Sequence, residues 1–132
     1  ATRRAAEIYG ARVISEEIED DPNNMTRFVV LSSTDHPQTG SDKTSACFYF
    51  NEDSPGLLLG VLSEFADRGI NLAKIESRPS RLSLGRYIFL VDFEGHRKDA
   101  LVDQALTRVK SRVTMLKIFG SYPKHSKAQQ KL

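Results

Sequence analysis

The sequence predicts an α+β fold, a ferredoxin-like βαββαβ sandwich preceded by a fragment of a second domain. Two observations carry this prediction. After residue 44 the patterns follow the order strand, helix, strand, strand, helix, strand, which right-handed crossovers fold into one antiparallel sheet with two helices on one face. The 132 residues have room for one such domain and part of another.

The composition disfavours several classes of protein. The chain is 39% hydrophobic and 27% charged, which is typical of a globular protein rather than a disordered or fibrous one. Its formal net charge of +2 does not support nucleic-acid binding through bulk charge. The sequence has no apolar run approaching the roughly 20 residues that span a bilayer, so we expect no membrane partner.

The cysteine and histidine content predicts neither a disulfide nor a metal site. Cys47 is the only cysteine, and His36, His96 and His125 lie too far apart in sequence to form a compact ligand motif. We therefore expect a reducing, cytoplasmic environment, no metal and no cofactor.

The first 31 residues read as the end of a larger unit. An amphipathic pattern over residues 5–9, closed by Gly10, predicts the last two turns of a helix. Residues 13–14 and 28–31 are predicted as short strands, the second of a buried type. Because about thirty residues cannot enclose a core of their own, we expect residues 1–31 to need a partner lobe.

A polar stretch follows this segment. Residues 32–43, SSTDHPQTGSDK, contain no apolar side chain apart from the proline and are therefore predicted as a linker. We assign the second domain to residues 44–123 and a polar tail to residues 124–132.

The first strand and helix of the second domain have clear patterns. Residues 45–50 alternate between an apolar and a mixed face, which predicts a half-buried strand. Ser54 and Pro55 are predicted as the N-cap and the first residue of a helix that ends at Gly69. The apolar stripe of this helix consists of Leu58, Val61, Leu62 and Phe65.

The remaining elements complete the predicted sandwich. Residues 70–78 form a strand whose apolar phase shifts between Leu72 and Ala73, which indicates a bulge or a late strand start. Residues 84–93 alternate regularly and are predicted as a central strand. The second helix is predicted to bury Leu101, Val102, Ala105, Leu106 and Val109, and the fourth strand covers residues 113–119.

Several motifs occur in the order found in one enzyme family. Residues 24–28 (NMTRF) resemble the signature that closes the catalytic domain of prephenate dehydratases, and residues 76–79 (ESRP) match the signature of their regulatory ACT domain. Residues 69–72 (GINL), 91–96 (VDFEGH) and 120–123 (GSYP) fit the same family. The resemblance covers nearly all of the chain ahead of the polar tail.

The resemblance implies an activity and its regulation. These enzymes convert prephenate to phenylpyruvate, water and carbon dioxide, which makes the parent a carbon–oxygen lyase of L-phenylalanine biosynthesis, and L-phenylalanine inhibits them. The resemblance also implies that residues 1–31 end an α/β two-lobed catalytic domain and that residues 44–123 form an ACT domain, paired into a homodimer or a tetramer. We expect this chain alone to be inactive, because one helix and two strands cannot build a cleft between two lobes.

Thr26 is the predicted catalytic residue, by resemblance to the family signature. The reaction expels a ring hydroxyl, which is a poor leaving group unless it is protonated or strongly hydrogen-bonded, and a threonine hydroxyl can donate that bond. Arg27 is a candidate to clamp a carboxylate of prephenate, and Phe28 to pack against its ring. Neighbouring strand residues point to opposite faces, so which of Arg27 and Phe28 reaches the substrate stays open.

The predicted allosteric site for L-phenylalanine needs an anion site, hydrogen-bond acceptors and an apolar slot. Pro55, Gly56, Leu57 and Leu58 supply a helix start, where backbone amides lack partners and carry the positive end of the helix dipole. Asn71 or carbonyl groups would receive the ammonium. The resemblance adds the remaining candidates, which are Leu59, Leu72, Glu76, Ser77, Arg78 and Pro79.

One turn departs from the family pattern. Where the family has Gly-Ala-Leu-Val, this chain has Gly56-Leu57-Leu58-Leu59, so that a leucine stands in place of a small alanine. The extra side-chain atoms either crowd the pocket or point into the core. The selectivity and affinity for the amino acid therefore stay open.

Two other functions fit parts of the sequence. An RNA-recognition module has the same element order, and residues 85–93 superficially resemble its aromatic third-strand signature, but the acidic pair Glu52 and Asp53 follows the first strand, where basic residues are needed. The second is an ACT sensor attached to another enzyme, such as an aromatic amino acid hydroxylase. Residues 26–28, ahead of the linker, disfavour that interpretation.

Overall fold

The computed structural model describes residues 2–18, 20, 28–80 and 87–125. Packing divides the chain into two compact units, Ala1–Leu31 and Ser32–Leu132. The elements are α1 (Arg3–Tyr9), β1 (Asp42–Tyr49), α2 (Leu57–Ala66), β2 (Leu72–Pro79), β3 (Tyr87–Glu94), α3 (Ala100–Arg112) and β4 (Met115–Pro123). Within the described ranges, every helix is too short or too polar to cross a bilayer.

The helix end predicted in the first unit is confirmed. The Thr2 side chain caps α1 by accepting a hydrogen bond from the Ala5 N–H at 3.2 Å. Gly10 ends the helix in the left-handed region, with φ of 61°, and its N–H bonds the Ala6 carbonyl.

The two strands predicted in the first unit are wrong. Residues 13–14 and 28–31 form no strand, and their side chains are exposed, with Ile14 at 88% and Val30 at 95%. A strand needs a neighbour to satisfy its backbone groups, and the described residues of this unit include none. The apolar character of these residues does not create a strand by itself.

The second unit confirms the predicted βαββαβ sandwich. Its four strands form one antiparallel sheet in the order β2-β3-β1-β4, so that β3 is central, as predicted. Helices α2 and α3 cover one face, called the helix face here, and the other is called the open face. The core residues are Ala46, Phe48, Val61, Phe65, Val91, Phe93, Val102, Ala105, Leu106 and Val109.

β1 begins earlier than predicted, so the linker prediction is wrong at its end. Asp42 and Lys43, assigned to the linker, belong to β1. Asp42 is only 2% exposed, yet its carboxylate accepts bonds from the Thr39 N–H and hydroxyl at 2.8 and 2.6 Å and from the Gly40 N–H at 3.2 Å. Burial opposes the charge, but these hydrogen bonds outweigh it and lower the pKa of Asp42.

The predicted end of α2 and the predicted bulge in β2 are confirmed. Gly69 has φ of 67°, and the Ile70 N–H returns to the Phe65 carbonyl at 3.0 Å, as at a glycine-terminated helix. β2 starts at Leu72 instead of residue 70, and its pairing with β3 shifts register between Leu72 and Lys74.

Two predictions near the C-terminal end need correction. Leu101 is 54% exposed, because the buried side of α3 follows the helical spacing of Val102, Ala105, Leu106 and Val109, and Leu101 lies off that stripe. β4 runs from Met115 to Pro123, not over residues 113–119. Its extension pairs with the early start of β1, across a bulge opposite Ser45 and Ala46.

Candidate functional site

The start of α2 has a different geometry from the predicted one. Gly56, not Ser54, is the N-cap, with φ of 87° and ψ of −9°, and the Leu57 N–H reaches the Ser54 carbonyl at 3.5 Å. Pro55 and Gly56 therefore form the centre of a type II turn, which requires a positive φ at its second central residue. The Ser54 cap prediction is wrong because a Pro-Gly pair is equally typical of this turn.

This turn exposes backbone donors at the start of α2. The first bond of the helix joins the Gly60 N–H to the Gly56 carbonyl at 2.9 Å, so the amides ahead of Gly60 have no partner one helical turn back. Pro55 and Gly56 are exposed, and a Cβ built on Gly56 would have no atom within 4 Å. The position is open to a small anion such as a carboxylate.

The three leucines after Gly56 have different surroundings. Leu58 packs against the core, Leu57 is half-buried and Leu59 is 67% exposed. Leu57, which departs from the family pattern, is therefore only partly withdrawn from the surface. Leu59 provides an apolar surface beside the exposed turn.

Asn71 lies at the opposite end of the sheet. Its carbonyl accepts a hydrogen bond from the Glu94 N–H at 2.9 Å. The Glu94 carboxylate pairs with Lys124 at 2.6 Å, and this bond, together with a bond from the Asn71 side chain, lowers the pKa of Glu94. Leu72, the next residue, packs against the core.

An open cleft of about 430 Å³ lies beside Asn71. It is lined by residues of the α2–β2 connection and of the β3–α3 connection, which include Arg68, Gly69, Ile70, Asn71, Gly95 and Asp99. The predicted acceptor for an ammonium group therefore adjoins a cleft that is open to a small molecule.

β2 divides the remaining candidates between two faces of the sheet. Glu76 pairs with Leu90 on the open face, whereas Ser77 pairs with Phe89 on the helix face. Glu76 also bonds Lys74 at 2.7 Å and Arg78 at 2.5 Å. These bonds, with Lys74 first, lower the pKa of Glu76. Glu76 and Arg78 thus form an ion-pair cluster on the face opposite α2.

Pro79, by contrast, ends β2 near the start of α2. Pro79 pairs with Tyr87, one position beyond the pair of Arg78 and Ile88, and Ile88 in turn pairs with Tyr49 at the end of β1. The chain enters the Gly56 turn shortly after Tyr49. The end of β2, and not its middle, therefore lies at the end of the sheet from which the chain leaves β1 for α2.

One chain does not bring the predicted allosteric residues into a single pocket. Gly56 precedes α2 and Asn71 follows it, and a ten-residue helix is about 15 Å long. The structure therefore places two groups of candidate residues, called the half-sites here, at opposite ends of the second unit. One is the Gly56 turn with Pro79, and the other is the Asn71 cleft.

The predicted catalytic residues are mostly outside the described part of the chain. Thr26 and Arg27 fall in the gap between residues 20 and 28. Phe28 is described and is 88% exposed. Among the described residues, no group of histidine, cysteine, aspartate or glutamate is arranged to hold a metal ion.

Sequence reasoning missed a buried carboxylate between the two helices. Glu64 is 8% exposed and bonds Arg68 at 2.9 Å and Arg112 at 2.7 Å. The bond from Arg112, followed by that from Arg68, lowers the pKa of Glu64 against the effect of burial. The spacing of Glu64 and Arg68 was a visible signal, since residues four apart face each other on a helix.

Sequence reasoning also missed the buried His96. This residue is 1% exposed, and its Nε2 donates to the His36 carbonyl at 3.0 Å, while its Nδ1 accepts from the Lys98 N–H at 3.1 Å. Both ring nitrogens are thus used in the neutral form. No local pattern could have paired His96 with a residue sixty positions earlier.

Two family models match the chain in succession. The model described as prephenate dehydratase matches residues 1–36, and the model described as ACT domain matches residues 46–111.

Relatives with known names give the same result. A bifunctional chorismate mutase/prephenate dehydratase of Aquifex aeolicus is 44% identical over 94% of this chain and 34% of its own length. A prephenate dehydratase of Methanocaldococcus jannaschii is 39% identical over 92% of this chain and 45% of its own length. The chain thus spans between a third and a half of the length of these curated relatives.

A solved structure agrees in fold. Prephenate dehydratase from Arthrobacter aurescens, in complex with L-Phe, superposes with a TM-score of 0.65 and is 39% identical, over 70% of this chain and 30% of that one. Together with the sandwich topology, these likenesses show that the chain belongs to the ACT domain family and carries, ahead of that domain, the end of a prephenate dehydratase domain.

Proposed function

We propose that this sequence is part of a prephenate dehydratase and supplies its L-phenylalanine-sensing domain. The parent enzyme, a carbon–oxygen lyase, converts prephenate to phenylpyruvate, water and carbon dioxide. The observation that carries the proposal is the succession of two matches, prephenate dehydratase over residues 1–36 and ACT over residues 46–111. An ACT sensor on an unrelated enzyme would not carry the first match.

In this proposal, residues 1–31 are the end of the catalytic domain. The exposed apolar side chains of this unit support it, because a surface of this kind is normally buried against more protein. They are Ile8, Tyr9, Val13, Ile14, Ile18, Phe28, Val29, Val30 and Leu31. Thr26 would hydrogen-bond the departing hydroxyl, and Arg27 or Phe28 would hold the substrate.

The same proposal assigns the regulatory domain to residues 42–123, from the start of β1, and a cytoplasmic location to the protein. The sandwich with its two half-sites supports the first assignment. The single cysteine supports the second, because Cys47 is buried and unpaired and burial raises the pKa of its thiol, as expected for a thiol that stays reduced.

The activity test compares the chain with its parent. We expect a full-length enzyme containing this sequence to form phenylpyruvate from prephenate and to be inhibited by L-phenylalanine. The purified 132-residue chain should show no turnover, because it lacks the second lobe of a cleft. Phenylpyruvate formation, followed by its ultraviolet absorbance, measures both. Turnover by the short chain would overturn the assignment of residues 1–31.

A homodimer would complete the L-phenylalanine site. The carboxylate would bind the amides after Gly56, and the ammonium would meet Asn71. Since these half-sites lie at opposite ends of one chain, an antiparallel pairing of two copies would place Asn71 of one beside Gly56 of the other. Asn71 directly precedes the edge strand β2 and Pro79 is its last residue, so β2 is the edge that this pairing would use.

The outer edge of β2 supports this pairing. Glu94 donates to the Asn71 carbonyl and Gly95 to the Asp42 carbonyl, so residues of β3 alternate between bonding β2 and β1. Lys74, Glu76 and Arg78 pair with the residues of β3 that bond toward β2. The backbone N–H and C=O groups of Ile75 and Ser77, which lie between them, therefore point away from β3. The other edge, β4, is interrupted by its bulge, and the Ser121 N–H there already reaches Asp35 at 3.3 Å.

The charged residues of β2 favour one register for the proposed pairing of two β2 strands. If the two-fold axis passed through Glu76, each Glu76 would face the Glu76 of the other copy, and each Lys74 would face an Arg78. Repulsion between like charges disfavours this register. Centring it on Ser77 would oppose Ile75 with Pro79, which has no N–H. Centring it on Ile75 pairs Lys74 of each copy with Glu76 of the other, so we propose this register.

A cysteine cross-link tests the register. Ile75→Cys should form a disulfide-linked dimer on mild oxidation, because paired residues in this register lie about 5.5 Å apart between Cα atoms. Ser77→Cys is the matched control, since its two copies would lie about 13 Å apart along the strands. Non-reducing gel electrophoresis reads the result. Cross-linking of Ser77→Cys instead would replace the proposed register, and cross-linking of neither would reject the β2 edge.

A further inference from the structure

Residues 35–41, called the strap here, are bound to the end of the sheet where β1 begins. The Asp35 carboxylate pairs with the Arg97 guanidinium at 2.5 Å and also accepts a hydrogen bond from the Ser121 N–H at 3.3 Å. The Asp35 side chain is only 14% exposed. The Arg97 side chain is 41% exposed, so only the Asp35 carboxylate is shielded from solvent. Removing Arg97 would leave that shielded carboxylate without its cation.

The same loop holds the next residues of the strap. The His36 carbonyl accepts a hydrogen bond from the buried His96 ring at 3.0 Å. The Gln38 side-chain amide donates to the Asp99 carboxylate at 2.7 Å. Together with the Arg97–Asp35 ion pair, these hydrogen bonds connect residues 95–99 to three residues of the strap, which are Asp35, His36 and Gln38.

Close packing and hydrogen bonds hold the loop of residues 95–99 in place. Gly95 has φ of 99°, and a Cβ there would come within 2.7 Å of Val102, so the chain passes close against α3. The Gly95 carbonyl accepts a bond from the buried Thr44 hydroxyl at 2.8 Å, and the Arg97 N–H donates to the Ser121 hydroxyl at 3.0 Å. The loop is therefore hydrogen-bonded to β1 and β4 and packed closely against α3.

The other side of this loop adjoins the Asn71 half-site. Glu94, directly ahead of the loop, donates its N–H to the Asn71 carbonyl at 2.9 Å. Gly95 and Asp99 line the cleft beside Asn71. One short loop therefore contacts both the predicted ligand site and the strap.

We propose that residues 95–99 couple L-phenylalanine binding to the catalytic segment through the Arg97–Asp35 ion pair. The inference rests on the proposed function. In the sequence, residues 29–34 separate the strap from residues 26–28, and the prephenate dehydratase match ends at His36, inside the strap. Asp35 is thus among the last residues of the enzyme match and is bound to the ACT domain.

The coupling needs two states of the strap, bound and released. A ligand that engages Asn71 acts on the residue whose carbonyl holds the Glu94 N–H, and Glu94 directly precedes the loop. L-phenylalanine can inhibit only if it binds one of these two states more tightly than the other. We assign inhibition to the bound strap, because Asp35 lies within the stretch that the prephenate dehydratase model matches.

The test uses Arg97→Ala in a full-length enzyme containing this sequence. We expect turnover without L-phenylalanine to stay near that of the parent, and the activity left at saturating L-phenylalanine to rise at least about fivefold, which is the lower end of typical coupling between sites. Calorimetry should still detect L-phenylalanine binding, because Arg97 touches neither half-site. The matched control is Lys98→Ala, an exposed neighbour whose removal should leave inhibition unchanged.

Two further variants separate coupling from damage to the fold. Asp35→Asn keeps the side-chain shape and should uncouple as Arg97→Ala does, and exchanging the charges with Asp35→Arg and Arg97→Asp together should restore inhibition. Full inhibition of both single variants would overturn the proposal, as would loss of L-phenylalanine binding in both. A parent enzyme that is not inhibited by L-phenylalanine would instead reject the proposed function, and this inference with it.

Discussion

Replacing Thr26 with alanine in a full-length enzyme containing this sequence is expected to lower the turnover of prephenate at least about 100-fold. The reaction expels a ring hydroxyl, and a missing donor removes stabilisation that develops as this group leaves. Losses of that size are typical for a single positioned donor. Because the interaction is made in the transition state, kcat should fall much more than KM rises.

Thr26→Ser is the matched control for this experiment. Serine keeps the hydroxyl and loses only a methyl group, so it should retain most of the turnover. Circular dichroism and L-phenylalanine binding, both expected to be unchanged, would show that Thr26→Ala is folded. Turnover of Thr26→Ala close to that of the parent would remove Thr26 from the catalytic role.

Replacing Gly56 with valine is expected to abolish the thermal stabilisation that L-phenylalanine gives this chain. At a 100-fold excess of ligand over Kd, one site adds about 2.7 kcal/mol to the bound form, enough to raise Tm by several degrees. The φ of 87° at Gly56 is unfavourable for a β-branched residue, so valine would distort the turn that presents the amides.

Gly40→Val controls for the strain itself. Gly40 has φ of 79°, and a Cβ added there, like one at Gly56, would meet no atom within 4 Å. The substitution should lower the Tm of the free chain about as much as Gly56→Val does. The L-phenylalanine shift should survive in Gly40→Val, and a full shift in Gly56→Val would place the carboxylate elsewhere.

Regular periodicity made the second unit predictable. β3 and α3 each present one apolar stripe to a core, and the bulge in β2 was visible as a phase shift between Leu72 and Ala73. Such patterns report burial on one face, which is what the sandwich imposes. Apolar character alone does not make a strand, however, because residues 28–31 are exposed and belong to none of the strands in the described residues.

Turn chemistry was more ambiguous than periodicity. Ser54 and Pro55 fit a helix start, but the following Gly56 also fits a type II turn, and the backbone adopts the turn. The choice depends on how the chain leaves β1, which local sequence does not encode.

The candidate site was predicted as a set of residues but not as an arrangement. Gly56 and Asn71 are fifteen positions apart, and only a helix between them places them at opposite ends of the domain. The strap was invisible for a related reason. Its polar composition suggested a linker, whereas Asp35 and His36 find partners about sixty positions later in the chain.

Calorimetric titration of the 132-residue chain with L-phenylalanine measures whether its ACT domain binds this amino acid. We expect saturable binding at one site per chain, shared between two copies, so that sedimentation should show more dimer with the ligand than without it. Titration with L-tyrosine and L-tryptophan under the same conditions measures selectivity. Absence of any saturable heat with L-phenylalanine, and a monomer at every ligand concentration, would rule out the proposed L-phenylalanine site.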